Sequence, residues 1–256
     1  MKRKMTLILM MLTGLSTQAY AEDVPNAGGQ NMRKELSEVF LLGIKEKDED
    51  LYNRFVALHK LDEKALVEVV KSDAPHNVRG VAIGLLCDQT ALTEIAQNDK
   101  VVALRRRATE KLINQTVLAE IATNNQENII VREQAMYKIT NQVVLAGIAK
   151  SDKIWVMRRE AVKMLKDPAL LAKIAKDDEN HDVCEAAVEM LDDQTLLVEI
   201  AKDDKIKYRN VRWQAVSKLK DKTLLAEIAK NDKDEWVQNG ATERLNKLNE
   251  ENTQKE

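Results

Sequence analysis

The sequence predicts an all-α solenoid of about eight short helix pairs, each stacked on the next. Three observations carry this. A unit recurs whose closing Leu or Ile falls at Leu61, Leu86, Leu112, Ile139, Leu165, Leu191, Leu219 and Leu245, at intervals of 25, 26, 27, 26, 26, 28 and 26 residues. Within a unit the apolar residues follow helical spacing and do not alternate. The chain also holds only 8 Gly and 3 Pro in 256 residues, too few turn formers for a many-stranded sheet. A fixed period means that one supersecondary unit buries its apolar face against copies of itself.

Each unit opens with a helix that carries apolar residues at i, i+3 and i+4: Leu92/Ile95/Ala96, Leu118/Ile121/Ala122, Leu145/Ile148/Ala149 and Leu225/Ile228/Ala229. These three positions share one face. A second helix repeats Val, Ala and Leu or Ile at i, i+4 and i+8, as in Val131/Ala135/Ile139, Val183/Ala187/Leu191 and Val211/Ala215/Leu219. Asp88, Asn114, Asn141, Asp167, Asp193 and Asp221 stand where a first helix needs an N-cap acceptor, and Pro168 follows at a position where its missing N–H costs nothing. Helices of two to three turns are marginal alone in water, so stability has to come from stacking.

The ends read differently. Residues 1–21 combine a basic start at Lys2-Arg3-Lys4, an apolar run from Met5 to Leu15, and the small-x-small sequence Ala19-Tyr20-Ala21. That is the pattern of a secretory signal peptide, its apolar run shorter than the ~20 residues a spanning helix needs. The expected mature chain is periplasmic or secreted, has no membrane span, and carries a net charge of −5 (37 cations against 42 anions) where the whole chain carries −2. Residues 22–31 read as a flexible linker, 32–61 as an N-terminal capping helix pair that holds both Phe residues, 62–245 as the repeats, and 246–256 as a polar C-terminal tail. Cys87 and Cys184 lie four repeats apart, too far for a bridge. Two buried, unpaired thiols are expected.

The repeated helix pair, with Asp before the second helix and Val-Arg opening it, resembles the HEAT-repeat family in its short, HEAT-like form. The mark is an Asp six residues before an Arg, present at Asp48/Arg54, Asp73/Arg79, Asp99/Arg105 and Asp152/Arg158. The resemblance implies a right-handed α-solenoid in which these Asp and Arg residues form a ladder from repeat to repeat through charge-assisted hydrogen bonds. Gln126 stands in place of the Asp before Arg132, Cys184 and Gln238 in place of Arg, and Asp204 and Arg212 are two residues too far apart. An interruption towards the C-terminus is therefore expected. The resemblance also implies that the second helices line a concave face.

No phosphate loop, nucleophile elbow, dinucleotide turn or metal-spaced Cys or His pair is present. No catalytic residue, metal or cofactor is expected, and His59, His76 and His181 read as solvated loop histidines. The Glu column Glu68, Glu94, Glu120, Glu199 and Glu227, with Lys71, Lys202 and Lys230 three residues after three of its members, reads as helix-surface pairing. The acidic balance and the leader oppose a nucleic-acid partner. Binding is the better reading: the second helices carry Arg106, Tyr137, Arg159 and Trp213 among mixed charges, and Tyr, Trp and Arg are common anchors in protein interfaces. The 28-residue unit adds two residues to its inner loop, Lys205-Ile206-Lys207-Tyr208-Arg209-Asn210. An insertion of this kind often meets a partner, which makes Lys207, Tyr208, Arg209 and Trp213 candidate contacts for a protein or peptide. The rival class is enzymatic, since some short HEAT-like proteins resemble bilin lyases. The sequence identifies no pigment pocket and leaves oligomeric state open.

Overall fold

The computed structural model describes residues 58–253. The expected signal peptide (1–21), linker (22–31), most of the capping pair (32–61), and Asp48 and Arg54 lie outside the described residues. Contacts divide the chain into two compact units, Met1–Lys111 and Leu112–Glu256.

The first unit contains α1 (Glu63–Lys71), α2 (His76–Leu85), α3 (Gln89–Asn98) and α4 (Val102–Lys111). The second contains α5 (Gln115–Thr123), α6 (Ile129–Met136), α7 (Gln142–Ser151), α8 (Trp155–Lys163), α9 (Pro168–Asp177), α10 (His181–Glu189), α11 (Gln194–Lys202), α12 (Arg209–Ser217), α13 (Lys222–Asn231) and α14 (Glu235–Thr253). The described residues thus form fourteen helices and no strand, packed as consecutive pairs. In the first unit α2 also packs on α4; in the second, α8, α10, α12 and α14 form a row of second helices, and α9 packs on α11. This arrangement is compatible with a helical-repeat solenoid. No helix among the described residues is long and apolar enough to cross a membrane.

The caps fall where the sequence places them. Asp88, Asn114, Asp167, Asp193 and Asp221 each accept two N–H bonds from the first turn of their helix, and Asn141 accepts one. A cap of this type contributes typically ~1 kcal/mol. The recurrent apolar triads of α3, α5 and α7 are buried, as are Val131/Ala135/Ile139, Val183/Ala187/Leu191 and Val211/Ala215/Leu219. Each buried Leu or Ile stabilises by about 1.5–3 kcal/mol, which explains how helices of 8–10 residues hold.

Four expectations change. Leu61, in register with the buried closing residues, is 36% exposed. The segment after Leu245 is helical to Thr253. Leu248 keeps the half-buried stripe going one turn beyond Leu245, Arg244 Nε donates to the Leu219 carbonyl, and no Gly or Pro interrupts. Glu94, Glu199 and Glu227 of the surface column pair instead with lysines of the preceding first helix, as Lys71–Glu94 (2.7 Å), Lys176–Glu199 (3.2 Å) and Lys202–Glu227 (3.5 Å). Exposed as they are, they contribute little. His76 and His181 are the first residues of α2 and α10, not loop residues.

Candidate functional site

Two kinds of side-chain tie join neighbouring helix pairs within a unit. The first is an Arg–Asp rung spanning twenty residues. Arg79 pairs with Asp99, Arg132 with Asp152, Arg158 with Asp178 and Arg212 with Asp232. Arg158 binds both carboxylate oxygens, Nε to Oδ2 at 2.8 Å and Nη2 to Oδ1 at 2.9 Å. The other three use Nε to reach the end of their own first helix, at Val70 O (2.8 Å), Ala122 O (2.9 Å) and Ala201 O (3.0 Å). Each Asp is the C-cap residue of a first helix and accepts through Oδ1 from the N–H two residues ahead, at Val101, Ile154, Asn180 and Asp234, the Asp178 Oδ1 being shared with Arg158. One carboxylate thus shapes its own loop and holds the preceding pair.

The six-residue spacing therefore marks something other than the ion pair. At that spacing the Asp offers its backbone carbonyl: to Arg105 from Asp99 (2.6 Å), to Arg158 from Asp152 (2.9 Å), to the Cys184 thiol from Asp178 (3.3 Å) and to Gln238 from Asp232 (2.6 Å). Arg132 lacks the mark and is nevertheless 1% exposed and ion-paired. Asp73 follows Ser72, the actual C-cap of α1. The expected C-terminal interruption is confined to one rung, at Cys184, and pairing resumes at Arg212.

The second tie uses a glutamine at the first position of a first helix. Its side-chain amide donates to the carbonyl three residues before the next N-cap and accepts from the N–H one residue before it. Gln115 meets Lys138 O (3.0 Å) and Thr140 N (2.9 Å), Gln142 meets Met164 O (3.1 Å) and Lys166 N (2.9 Å), and Gln194 meets Lys218 O (3.3 Å) and Lys220 N (3.0 Å). Composition and apolar spacing do not reveal this tie; the recurring Asp-Gln or Asn-Gln at helix starts was its signal.

In the second unit both ties are missing, among the described residues, at one joint only: that between the α9/α10 and α11/α12 pairs. Pro168 occupies the glutamine position and Cys184 the arginine position. Asp203, the C-cap of α11, still binds the Lys205 N–H (3.1 Å) but receives no guanidinium from α10. Other contacts cross the joint. The Tyr208 hydroxyl donates to the Glu179 carbonyl, Asn210 reaches Glu185 (3.2 Å), and Lys218 Nζ reaches Val188 O (3.2 Å) and Glu189 O (2.5 Å). The lengthened loop between α11 and α12 lies here. Beside it opens a cavity of about 530 Å³ lined by His181, Asp204, Ile206, Lys207, Tyr208, Arg209, Asn210, Arg212 and Asp234.

The charges in this pocket are unequally occupied. Asp204 binds Lys233 (2.9 Å), whose hydrogen bond and charge hold its carboxyl below the usual range. Asp234 caps α14 through the Trp236 N–H (2.9 Å), and Arg212 is committed to Asp232. Lys207 and Arg209 form no ion pair among the described residues. They lie over aromatic rings, Lys207 at 4.8 Å from Tyr208 and Arg209 at 5.2 Å from Trp236. His181 stands 5.9 Å from the Tyr208 ring.

Of the candidate partner contacts, Lys207, Tyr208 and Arg209 come together in this pocket. Trp213 does not join them; it is half-buried and its indole lies against Gly240 of α14. Tyr137 and Arg159 meet elsewhere, around Glu160: Tyr137 donates to Oε2 (3.2 Å), Arg159 Nε to Oε1 (2.8 Å), and Lys163 to Oε1 (3.0 Å). Burial and the neighbouring Glu160 charge push the Tyr137 phenol up to about 12. Arg159 also lies 5.3 Å from the Trp155 ring. Arg106 is exposed on α4 of the first unit. The sequence reading missed His181, Asp204, Asn210 and Asp234 as pocket residues, because they come from the ends of three helix pairs.

Both cysteines are free, but Cys87 is exposed, against the expectation of two buried thiols. It sits in the turn after Leu86, where its N–H and that of Asp88 bond Glu63 (2.6 and 2.5 Å) and its side chain faces water. Cys184 is buried, and burial pushes its thiol up to about 12. A thiol reagent at pH 8 is expected to modify Cys87 rapidly and Cys184 only after unfolding, because the thiolate is the reactive species. Two rapid equivalents per folded chain would contradict the buried position of Cys184.

Among the described residues no group of three or more His, Cys, Asp or Glu is placed to hold a metal ion. Comparison of the chain with protein-family models, curated proteins and solved structures gave no significant match to any of them.

Proposed function

We propose that the chain is an exported, non-catalytic protein-binding scaffold: a right-handed HEAT-like α-solenoid, periplasmic or secreted, that holds a protein or peptide partner on its row of second helices. The observation that carries the reading is the pocket beside α12, where Lys207, Tyr208 and Arg209 converge at the longest of the inner loops. Cation-on-aromatic plates such as Arg159 on Trp155 and Arg209 on Trp236 offer rigid, amphipathic contact area of the kind that anchors protein interfaces.

The test is affinity capture from the exported fraction by the chain and by a Lys207→Gln/Tyr208→Phe/Arg209→Gln variant. A partner retained by the parent and lost by an equally helical variant is the expected result. Trp213 is left unchanged because its replacement would disturb the packing on Gly240. Capture of no protein by either form would overturn the scaffold reading.

A further inference from the structure

Resting on the scaffold reading, we propose that the pocket between α10 and α12 is a socket for a carboxylate-bearing segment of an acidic peptide, and that its occupant bridges the one joint lacking both regular ties. Three observations lead there. The cavity is large enough, at about 530 Å³, to admit side chains of a peptide rather than a lone ion. Its two carboxylates are already engaged, Asp204 by Lys233 and Asp234 by the α14 backbone, while Lys207 and Arg209 lie over the Tyr208 and Trp236 rings and form no ion pair among the described residues. The available charge is therefore positive. A cation stacked on a ring keeps its outward N–H donors for an incoming carboxylate, and Arg in particular presents a fork that matches one.

The lining also spans the joint. His181 belongs to α10, whereas Lys207, Tyr208, Arg209 and Asn210 belong to the loop and the start of α12. A carboxylate seated between them links the two pairs across the step where Pro168 and Cys184 replace the tying residues. A bound acidic segment then does from outside what the Arg–Asp rung does from within, with the signs exchanged: the protein supplies the cation and the partner the carboxylate.

The experiment is calorimetric titration of the purified chain with a short oligoglutamate peptide blocked at both ends, at low and at physiological ionic strength. The comparison is with Lys207→Gln/Arg209→Gln and with a control, Lys150→Gln/Lys173→Gln, which removes the same charge from exposed sites on α7 and α9. Expected is salt-sensitive binding that the pocket variant weakens by about tenfold or more and the control leaves within about twofold. Hydrogen exchange with the peptide bound is expected to slow chiefly from α10 to α12. No binding, or equal loss in both variants, overturns the socket. A protein partner still captured by the pocket variant also rejects the socket while leaving the scaffold reading in place.

Discussion

Replacing Arg132 by methionine is expected to destabilise the second unit by about 3–5 kcal/mol, the cost of breaking a buried ion pair from one side. Arg132 is 1% exposed and its partner Asp152 is equally enclosed, with a side chain 4% exposed. Methionine fills most of the volume of the arginine stem, so the loss falls on the electrostatics: Asp152 keeps the Ile154 N–H but loses its cation, and the Ala122 carbonyl loses its donor. Arg79→Met is expected to cost less, because the Arg79 side chain is 17% exposed and water can replace part of what it gave. Stacked repeats need not unfold in one step. Denaturation followed by circular dichroism should therefore be paired with hydrogen exchange, which is expected to show the loosening around α6 and α7. A cost below about 1 kcal/mol for Arg132→Met would mean that the rung is not a structural tie.

Gly240→Ala is the second large effect, and its sign runs against helix propensity. Alanine in a helix interior normally gains up to ~1 kcal/mol over glycine. At Gly240 a Cβ would lie 2.5 Å from Trp213 Nε1 and 3.3 Å from its Cγ, so the indole must move, and overpacking of this kind costs typically 1–3 kcal/mol. Gly147→Ala is the matched comparison, since nothing lies within 4 Å of its added carbon. There the full gain of about 0.5–1 kcal/mol is expected. The two substitutions should move the denaturation midpoint in opposite directions. Combining Gly240→Ala with Trp213→Leu is expected to recover part of the loss, which identifies the indole as the obstacle. Stabilisation by both alanines would show that Trp213 does not press on α14.

What the sequence made legible here was whatever depends on spacing. The triads of α3, α5 and α7 and the Val/Ala/Leu stripes are buried because helical periodicity dictates which face meets the neighbour. The caps were legible because Asp and Asn have one strong local use at a helix start. The pocket was legible only in part, through the extra residues of the α11–α12 loop. Its other lining residues come from α10, from the Asp203-Asp204 turn and from the start of α14, and spacing along one helix does not say which termini will face each other. The place of Trp213 was hidden for the same reason: an aromatic residue on a second helix can face a groove or the next helix, and its indole lies against Gly240, twenty-seven residues on. The rung was read from an Asp–Arg spacing whose real expression is a backbone bond, while the ion pair reaches to the next unit.

The glutamine tie has one further consequence, for where this chain can change length. Each amide reads one carbonyl and one N–H of the next connection, a donor and an acceptor at fixed places; a one-residue slip would set like against like. The distance from the rung position to the following cap is constant, also where Glu63 or Pro168 replaces the glutamine: Arg79 to Asp88, Arg105 to Asn114, Arg132 to Asn141, Arg158 to Asp167, Cys184 to Asp193 and Arg212 to Asp221 are each nine residues. The rung reads only the flexible tip of an arginine, and on that side the distance from C-cap to rung position runs from six, as at Asp152 to Arg158, to nine, at Asp203 to Arg212. One set of connections is a ruler and the other is elastic. New sequence can be accommodated only in the elastic connections, and the longest of those loops is the one that borders the pocket.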